Sequence, residues 1–153
     1  MIDPCPCGEQ ITNGGFETAD LTGWTSLRAE IINYGQQHSG EYCCDIGVLG
    51  DCEPVFDGYI EQNIESIKGY VIPVQCIESF TSWLATGGGS ARIKITYSDD
   101  SEITINTSEL PAWTWTQIDI LSSLDLDKSI SKVAFYREGL YNIRRVDDVS
   151  LIC

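Results

Sequence analysis

Ala91-Arg92-Ile93-Lys94-Ile95-Thr96-Tyr97 alternates apolar and polar residues. Ile93, Ile95 and Tyr97 fall on one face of an extended chain and Arg92, Lys94 and Thr96 on the other. That two-residue period belongs to a strand with one buried and one solvated face. Ser98-Asp99-Asp100-Ser101 then reads as a turn, and Glu102-Ile103-Thr104-Ile105 restores the alternation, so a hairpin is predicted.

Outward from this hairpin the pattern repeats. Residues 115–121, 130–136 and 144–152 carry apolar side chains at alternate positions, with Val133 and Phe135 inward, Tyr136 facing away, and Val149 and Leu151 inward. Upstream, residues 27–34, 42–48, 59–64 and 70–84 are further strands. The last is too long for one ordinary strand and contains Pro73, which removes a ladder donor, so a bulge or an edge position is expected there. A short helix is predicted at 121–126. Gly87-Gly88-Gly89 lacks a following Lys-Ser/Thr pair and reads as a turn rather than a phosphate cradle. Short strands punctuated by Gly, Asn, Asp and Ser, with no long helical period, make an all-β sandwich or barrel.

A chain of 153 residues suits one domain. It divides into a cysteine-containing lead, residues 1–8, and a single sandwich domain, residues 9–153. No apolar run approaches the roughly 20 residues that span a bilayer. The formal charge of −14, from 23 acidic against nine basic residues, repels nucleic-acid phosphates and anionic membrane surfaces. It suits divalent cations or neutral ligands such as glycans.

Seven cysteines point to an oxidising compartment. Cys43 and Cys44 are neighbours on a predicted strand, so they face opposite ways and cannot share one partner site. An odd count leaves at least one thiol unpaired, and through it the chain has a means of self-association. Cys5-Pro6-Cys7 lacks the spacing and partners of a zinc site. The residues after Met1 carry no basic stretch or apolar core, so the secreted or cell-surface reading implies that a signal peptide has been removed. Cys153, just beyond the last predicted strand, is within geometric reach of Cys5 or Cys7, just before the first, and sequence leaves the pairing open.

Six short motifs then occur in an order with its own meaning. Ile11-Thr12-Asn13-Gly14-Gly15-Phe16-Glu17 with Leu21-Thr22-Gly23-Trp24-Thr25 opens the domain, and Val146-Asp147-Asp148-Val149-Ser150-Leu151 closes it. Between them lie His38-Ser39-Gly40-Glu41-Tyr42, Ile60-Glu61-Gln62-Asn63-Ile64, Tyr97-Ser98-Asp99-Asp100-Ser101 and Trp115-Thr116-Gln117. In this order the chain resembles the calcium-containing, galactose-binding-like jelly-roll carbohydrate-binding modules found beside xylanases, cellulases and related secreted enzymes. The likeness covers nearly everything after Gly8, while Cys43-Cys44 and the Cys5-Pro6-Cys7 lead depart from it. It implies a jelly-roll β-sandwich of two antiparallel sheets with Trp24, Trp115 and Phe135 packed inside. It further implies a non-catalytic module that attaches a secreted enzyme or a cell surface to polysaccharide.

The resemblance also implies a structural calcium ion held by Gly15, Glu17, Glu41 and Asp147, with Gly15 and Glu41 contributing backbone carbonyls. Glu17 and Asp147 would supply charge to an ion that takes six to eight oxygens at about 2.3–2.6 Å. Strand alternation puts Asp147 on the face of Val149 and Leu151, inward at the edge of the core, where a carboxylate needs a cation or donors.

For a glycan, flat aromatic faces and polar neighbours are the requirement. Trp113, Tyr136, Arg92 and Lys94 are candidates for an exposed groove, with Trp83 as a further ligand contact whose register is open. Catalysis finds no base but His38, the sole histidine, and the carboxylate pairs Asp99/Glu102 and Asp51/Glu53 are expected by chance among so many acids. The alternative to a glycan-binding module is a structural or adhesive sandwich of a surface layer, appendage or virion.

Overall fold

The alternation at 91–105 folds as predicted. In the computed structural model, which describes residues 5–47, 57–138 and 141–153, Ile93, Ile95 and Tyr97 are buried while Arg92, Lys94 and Thr96 are half-buried. The described strands are β1 (Thr25–Leu27), β2 (Ala29–Ile32), β3 (Cys43–Ile46), β4 (Gly58–Asn63), β5 (Ile72–Pro73), β6 (Ser79–Thr86), β7 (Arg92–Tyr97), β8 (Glu102–Asn106), β9 (Thr116–Asp119), β10 (Ser129–Glu138) and β11 (Tyr141–Ile152).

They form two antiparallel sheets. The first runs β2-β3-β11-β6-β9, and the second β1-β4-β10-β7-β8 with β5 beside the start of β10. The β10–β11 hairpin joins them at Arg137↔Asn142 and Glu138↔Tyr141. Directly opposed residues share a face, so each register gives rows across a sheet. Ile60–Phe135–Ile93–Ile105 and Val133–Ile95–Ile103 form the inner face of the second sheet. Ile31–Cys44–Val146–Leu84 faces them from the first. These rows, with Phe16, Trp24 and Phe80, are the core.

Gln62 sits in an inner row opposite Val133 and is fully buried. A buried amide costs stability unless its donors and acceptor are paired. Thr12 N–H donates to Gln62 Oε1 at 2.9 Å and Gln62 Nε2 donates to the Thr12 carbonyl at 2.8 Å, so the side chain pins the 12–16 loop to the sandwich.

Several local expectations shift. Residues 27–34 do not make one strand, because Arg28 has φ 51 and separates β1 from β2. The long run at 70–84 resolves into β5, a 3₁₀ turn (Val74–Cys76) and β6, with Pro73 in the short side pairing to Ser129. The helix expected at 121–126 is a 3₁₀ turn of Leu121–Ser123. A short helix α1 (Ile64–Lys68), which periodicity missed, is capped by Asn63 accepting from Ser66 N–H and ends at Gly69 with φ 81.

Cys43 and Cys44 face opposite ways as expected. Cys44 belongs to the core and Cys43 is buried on the other face, beside Ile32 in register. The disulfide is Cys5–Cys76 and not a bridge to Cys153, since Cys5 reaches the 3₁₀ turn. Cys7, Cys43, Cys44 and Cys153 carry free thiols among the described residues. Cys52 lies outside them.

The largest departure is in β11. Asp147 is opposite Trp83, but the next pair is Ser150 with Thr81, so β11 advances three residues against two. Asp148, at φ 47, carries this bulge. Alternation breaks there: Val149 and Leu151 face the core, whereas Asp147 shares the outer face with Trp83. Asp147 is nonetheless fully buried, under a loop rather than between the sheets.

Gly14 closes against the same bulge. Val149 N–H donates to the Gly14 carbonyl at 3.0 Å, and a Cβ at Gly14 would stand 1.9 Å from the Val149 carbonyl oxygen. Backbone cannot yield as a flexible side chain can, so Gly14→Ala is expected to lower stability by about 1–3 kcal/mol. Urea denaturation of the two proteins measures it, and an unchanged midpoint would contradict the close approach.

Candidate functional site

The outer face of the first sheet carries two features that alternation alone does not produce. One is a loop, residues 33–42, folded over the β11 bulge. His38 N–H (2.9 Å) and Ser39 N–H (3.2 Å) donate to Asp147 Oδ2, and Asp148 N–H donates to Oδ1 at 2.8 Å. His38 Nδ1 lies 2.7 Å from Asp148 Oδ2, which also accepts from Ser39 Oγ at 2.6 Å. Glu17 accepts from the N–H groups of Glu41 (2.6 Å) and Tyr42 (2.9 Å). The His38 ring stacks on Trp83 at 3.8 Å and 16°, and Trp115 meets its edge while donating from Nε1 to the Gln36 carbonyl.

Trp115 is therefore not a core residue as the sequence reading implied. It lies half-buried outside the sandwich, beneath this loop, whereas Trp24 and Phe135 are inside.

Glu17, Asp147 and Asp148 are thus brought to one place. A Cβ at Gly15 would be 3.5 Å from Asp148 Oδ1 and 3.7 Å from Glu17 Cγ. Glu41 enters through its backbone. Burial first, and the charge of Asp148 as well, push the Asp147 carboxyl up to about 6 against the lowering effect of its three backbone donors. Burial, with Asp147 next, pushes the Cys43 thiol up to about 12. Both Asp147 oxygens, both Glu17 oxygens and Asp148 Oδ2 already accept an N–H or O–H. Among the described residues no group of three or more His, Cys, Asp or Glu side chains converges on a metal-sized position.

The second feature is Trp113. It is 53% exposed and holds φ at 56, a region that bulky side chains occupy only when the surroundings enforce it, at a cost of about 1–3 kcal/mol. The enforcement is a 2.8 Å bond from Trp113 N–H to the Thr86 carbonyl. A second register shift in β11, between Ile143 and Arg145 opposite Thr86 and Ala85, supplies an extra residue at Arg144. The Arg145 guanidinium lies 4.9 Å and that of Arg144 5.8 Å from the Trp113 ring centre. Arg145 also pairs with Asp45 at 3.8 Å, and burial is the main cause that raises the Asp45 carboxyl. Glu30 stands opposite Asp45 in the next strand.

Of the candidate ligand contacts, Trp113 and Trp83 share this side of the molecule, with Trp83 covered by His38. Tyr136, Arg92 and Lys94 do not belong with them. Tyr136 and Arg92 are opposed on β10 and β7, Lys94 opposes Ala134, and all three lie on the outer face of the second sheet. There Tyr136 packs on Tyr59 at 5.6 Å, Lys94 sits 5.1 Å over the Tyr136 ring, and Arg92 is 3.8 Å from Glu138. Trp113 lies beside Arg145 of the first sheet, so the four candidates do not share one sheet face. Arg144, Arg145 and Asp45 were missed by the sequence reading, and the only signal for them was a strand pattern at 143–147 too irregular for a regular pairing.

Asp99 and Glu102, a carboxylate pair weighed for catalysis, have separate duties. Asp99 accepts from Ser101 and pairs with Lys128 at 3.4 Å, and Glu102 pairs with Lys94 at 3.5 Å. Asp51 and Glu53 lie outside the described residues.

No family model matches the chain, and no curated protein matches it. Solved structures do. A family 16 carbohydrate-binding module superposes with a TM-score of 0.64 at 12% identity, covering 94% of this chain and 99% of that one. A family 61 carbohydrate-binding module solved with β-1,4-galactotriose gives 0.55 at 16% identity, over 94% and 97%. The K2 adhesin domain of Lys-gingipain gives 0.57 at 12% identity, over 88% and 92%. At these identities the likeness establishes the fold, the jelly-roll sandwich that the sequence motifs implied.

The Asp147 carboxyl titrates in a direction that can be measured. Its folded value of about 6 exceeds the ordinary 3.8, so the folded protein binds this proton more tightly than the unfolded chain. The associated stability is fully present below about 3.8 and lost as pH rises through about 6. Carbon-13 NMR of the metal-free protein should place the Asp147 midpoint near 6, and an ordinary carboxylate midpoint would refute the burial argument.

Proposed function

We propose that the outer face of the β2-β3-β11-β6-β9 sheet is a carbohydrate-binding surface with Trp113 as its platform. The observation that carries this is the strained, exposed Trp113, held by the Thr86 carbonyl and backed by Arg144 and Arg145. An indole face takes the C–H surface of a pyranose, and charged groups at its rim take the hydroxyls. Arg145 and Asp45 are the polar partners beside it. A backbone held in place beforehand reduces the ordering cost of binding. The chain acts as a non-catalytic module that holds a secreted enzyme or a cell surface to polysaccharide. Support comes also from a neighbour of this fold having been solved with galactotriose. An adhesive or structural module is the second reading, favoured by the likeness to an adhesin domain.

Trp113→Ala is expected to weaken retention on a polysaccharide affinity gel by roughly tenfold or more, about 1.4 kcal/mol, with the melting temperature little changed. Tyr136→Ala, on the opposite face, should leave retention as it was. Failure of plant, algal and bacterial glycans alike to retard the wild-type protein would sink the glycan reading and leave the adhesive one.

Calcium belongs to the same proposal. Glu17 and Asp147, with the carbonyls of Gly15 and Glu41, offer the hard oxygens that the ion requires. Gathered acids support it: Glu17 and Asp148 both flank Gly15, and Asp147 adjoins Asp148. The ion's role would be to neutralise this cluster and hold the 33–42 loop, with no part in chemistry. Dialysis against a chelator should lower the melting temperature and added calcium should restore it. Equal melting temperatures in both conditions would remove calcium from the account.

A further inference from the structure

Four cysteines gather where the lead, the 3₁₀ turn and the end of β11 meet. Cys5 is bonded to Cys76, and Glu78, two residues on, donates to the Ile152 carbonyl at 2.8 Å. Gly8 and Cys153 exchange both backbone hydrogen bonds, at 3.2 and 3.1 Å, and Glu9 opposes Ile152. Cys7 remains exposed and Cys153 half-buried, each with a free thiol. We infer that Cys7 and Cys153 are a pair built to close a second disulfide across the two ends of the described chain.

The backbone brings them within range. Residues that exchange both bonds in an antiparallel pair have Cα atoms roughly 5.5 Å apart. Cys7, one residue of about 3.8 Å along, lies on the diagonal of that pair. This is near the upper end of the roughly 4.4–6.8 Å that a disulfide spans. In a regular strand Cys7 would point away from Cys153, but Gly8 has φ 80 and breaks the alternation between them. Gln10, buried, holds the Cys7 carbonyl from Nε2 at 3.1 Å and accepts from the Tyr70 hydroxyl at 2.7 Å. These bonds hold the lead beside the end of β11, with the two thiols as neighbours.

The chemistry divides the two thiols. Burial raises the Cys153 thiol, and the neighbouring Cys7 raises it further. Exposed Cys7 is the first to react with a small disulfide oxidant such as oxidised glutathione: its thiolate attacks one sulfur, a mixed disulfide forms and one glutathione thiolate leaves. Capping Cys7 removes its charge from beside Cys153. The Cys153 thiolate then attacks the Cys7 sulfur and expels the second glutathione as thiolate. Two protein thiols are oxidised, one glutathione disulfide is reduced to two thiols, and the protons of Cys7 and Cys153 pass to solvent or to the departing thiolates.

The test treats the full chain with oxidised glutathione, blocks free thiols and maps the linked peptides by mass spectrometry without reduction. The expected map contains Cys7–Cys153 beside Cys5–Cys76, at a rate independent of protein concentration. In Cys153→Ser the glutathione adduct on Cys7 should persist about tenfold longer or more than in the wild type, because the neighbouring thiol acts at millimolar effective concentration. An adduct equally long-lived in both proteins overturns the inference. So do Cys7 and Cys153 recovered as blocked thiols, a crossed Cys5–Cys153 and Cys7–Cys76 map, or a Cys7 link between two copies of the chain.

Discussion

One extra residue in β11, at Asp148, is the constraint on which the rest of the molecule depends. β11 lies between β3 and β6 in the first sheet, so a step of three residues against two cannot be absorbed at an edge. It turns Asp147 out of the core side and leaves Val149 and Leu151 within it. Two carboxylates then stand at consecutive positions, each taking hydrogen bonds from residues 38 and 39. The 33–42 loop folds where it does because these acceptors are there. Gly14 closes on Val149 from the other side, so the bulge also ties the first motif of the domain to the last.

The same strand sets up the candidate ligand surface by a second irregularity. The extra residue at Arg144 brings both arginines over Trp113 instead of spacing them on opposite faces. Bulges beside a functional surface commonly re-aim side chains in this way. Trp113 contributes its own irregular backbone, and a strained, solvent-facing indole is a costly feature for stability alone. The outer face of the second sheet differs in kind. Its pairings are regular from Lys132 to Tyr136, and Tyr59, Tyr136, Lys94 and Arg92 contact one another and Glu138.

Three buried polar side chains follow one rule. Gln62 is buried and doubly paired with Thr12, and Asp147 is buried under three N–H donors. Gln10 is buried between the Tyr70 hydroxyl and the carbonyls of Cys7 and Gly8. Each fastens a loop to the sandwich, because an unpaired polar group there would cost about 1–3 kcal/mol. Loops that carry no core of their own are positioned in this way, by side chains rather than by strands.

Alternation at 91–105, at Val133 and Phe135 and at Val149 and Leu151 determined the β-sandwich from sequence, because a strand with one buried face has a period that local reading detects. The order of short motifs implied the jelly roll and singled out Glu17 and Asp147, while the flat aromatic faces that a glycan requires singled out Trp83 and Trp113. Tertiary structure alone decided which of these share a surface. Parity counts only relative position along one strand, so it cannot say which sheet a strand joins or where an extra residue resets the count. For that reason Tyr136, Arg92 and Lys94 fell on the far sheet from Trp113, Asp147 turned outward, and Cys5 joined Cys76. Those outcomes depend on pairings between segments distant in sequence, where a single bulge reverses every face beyond it.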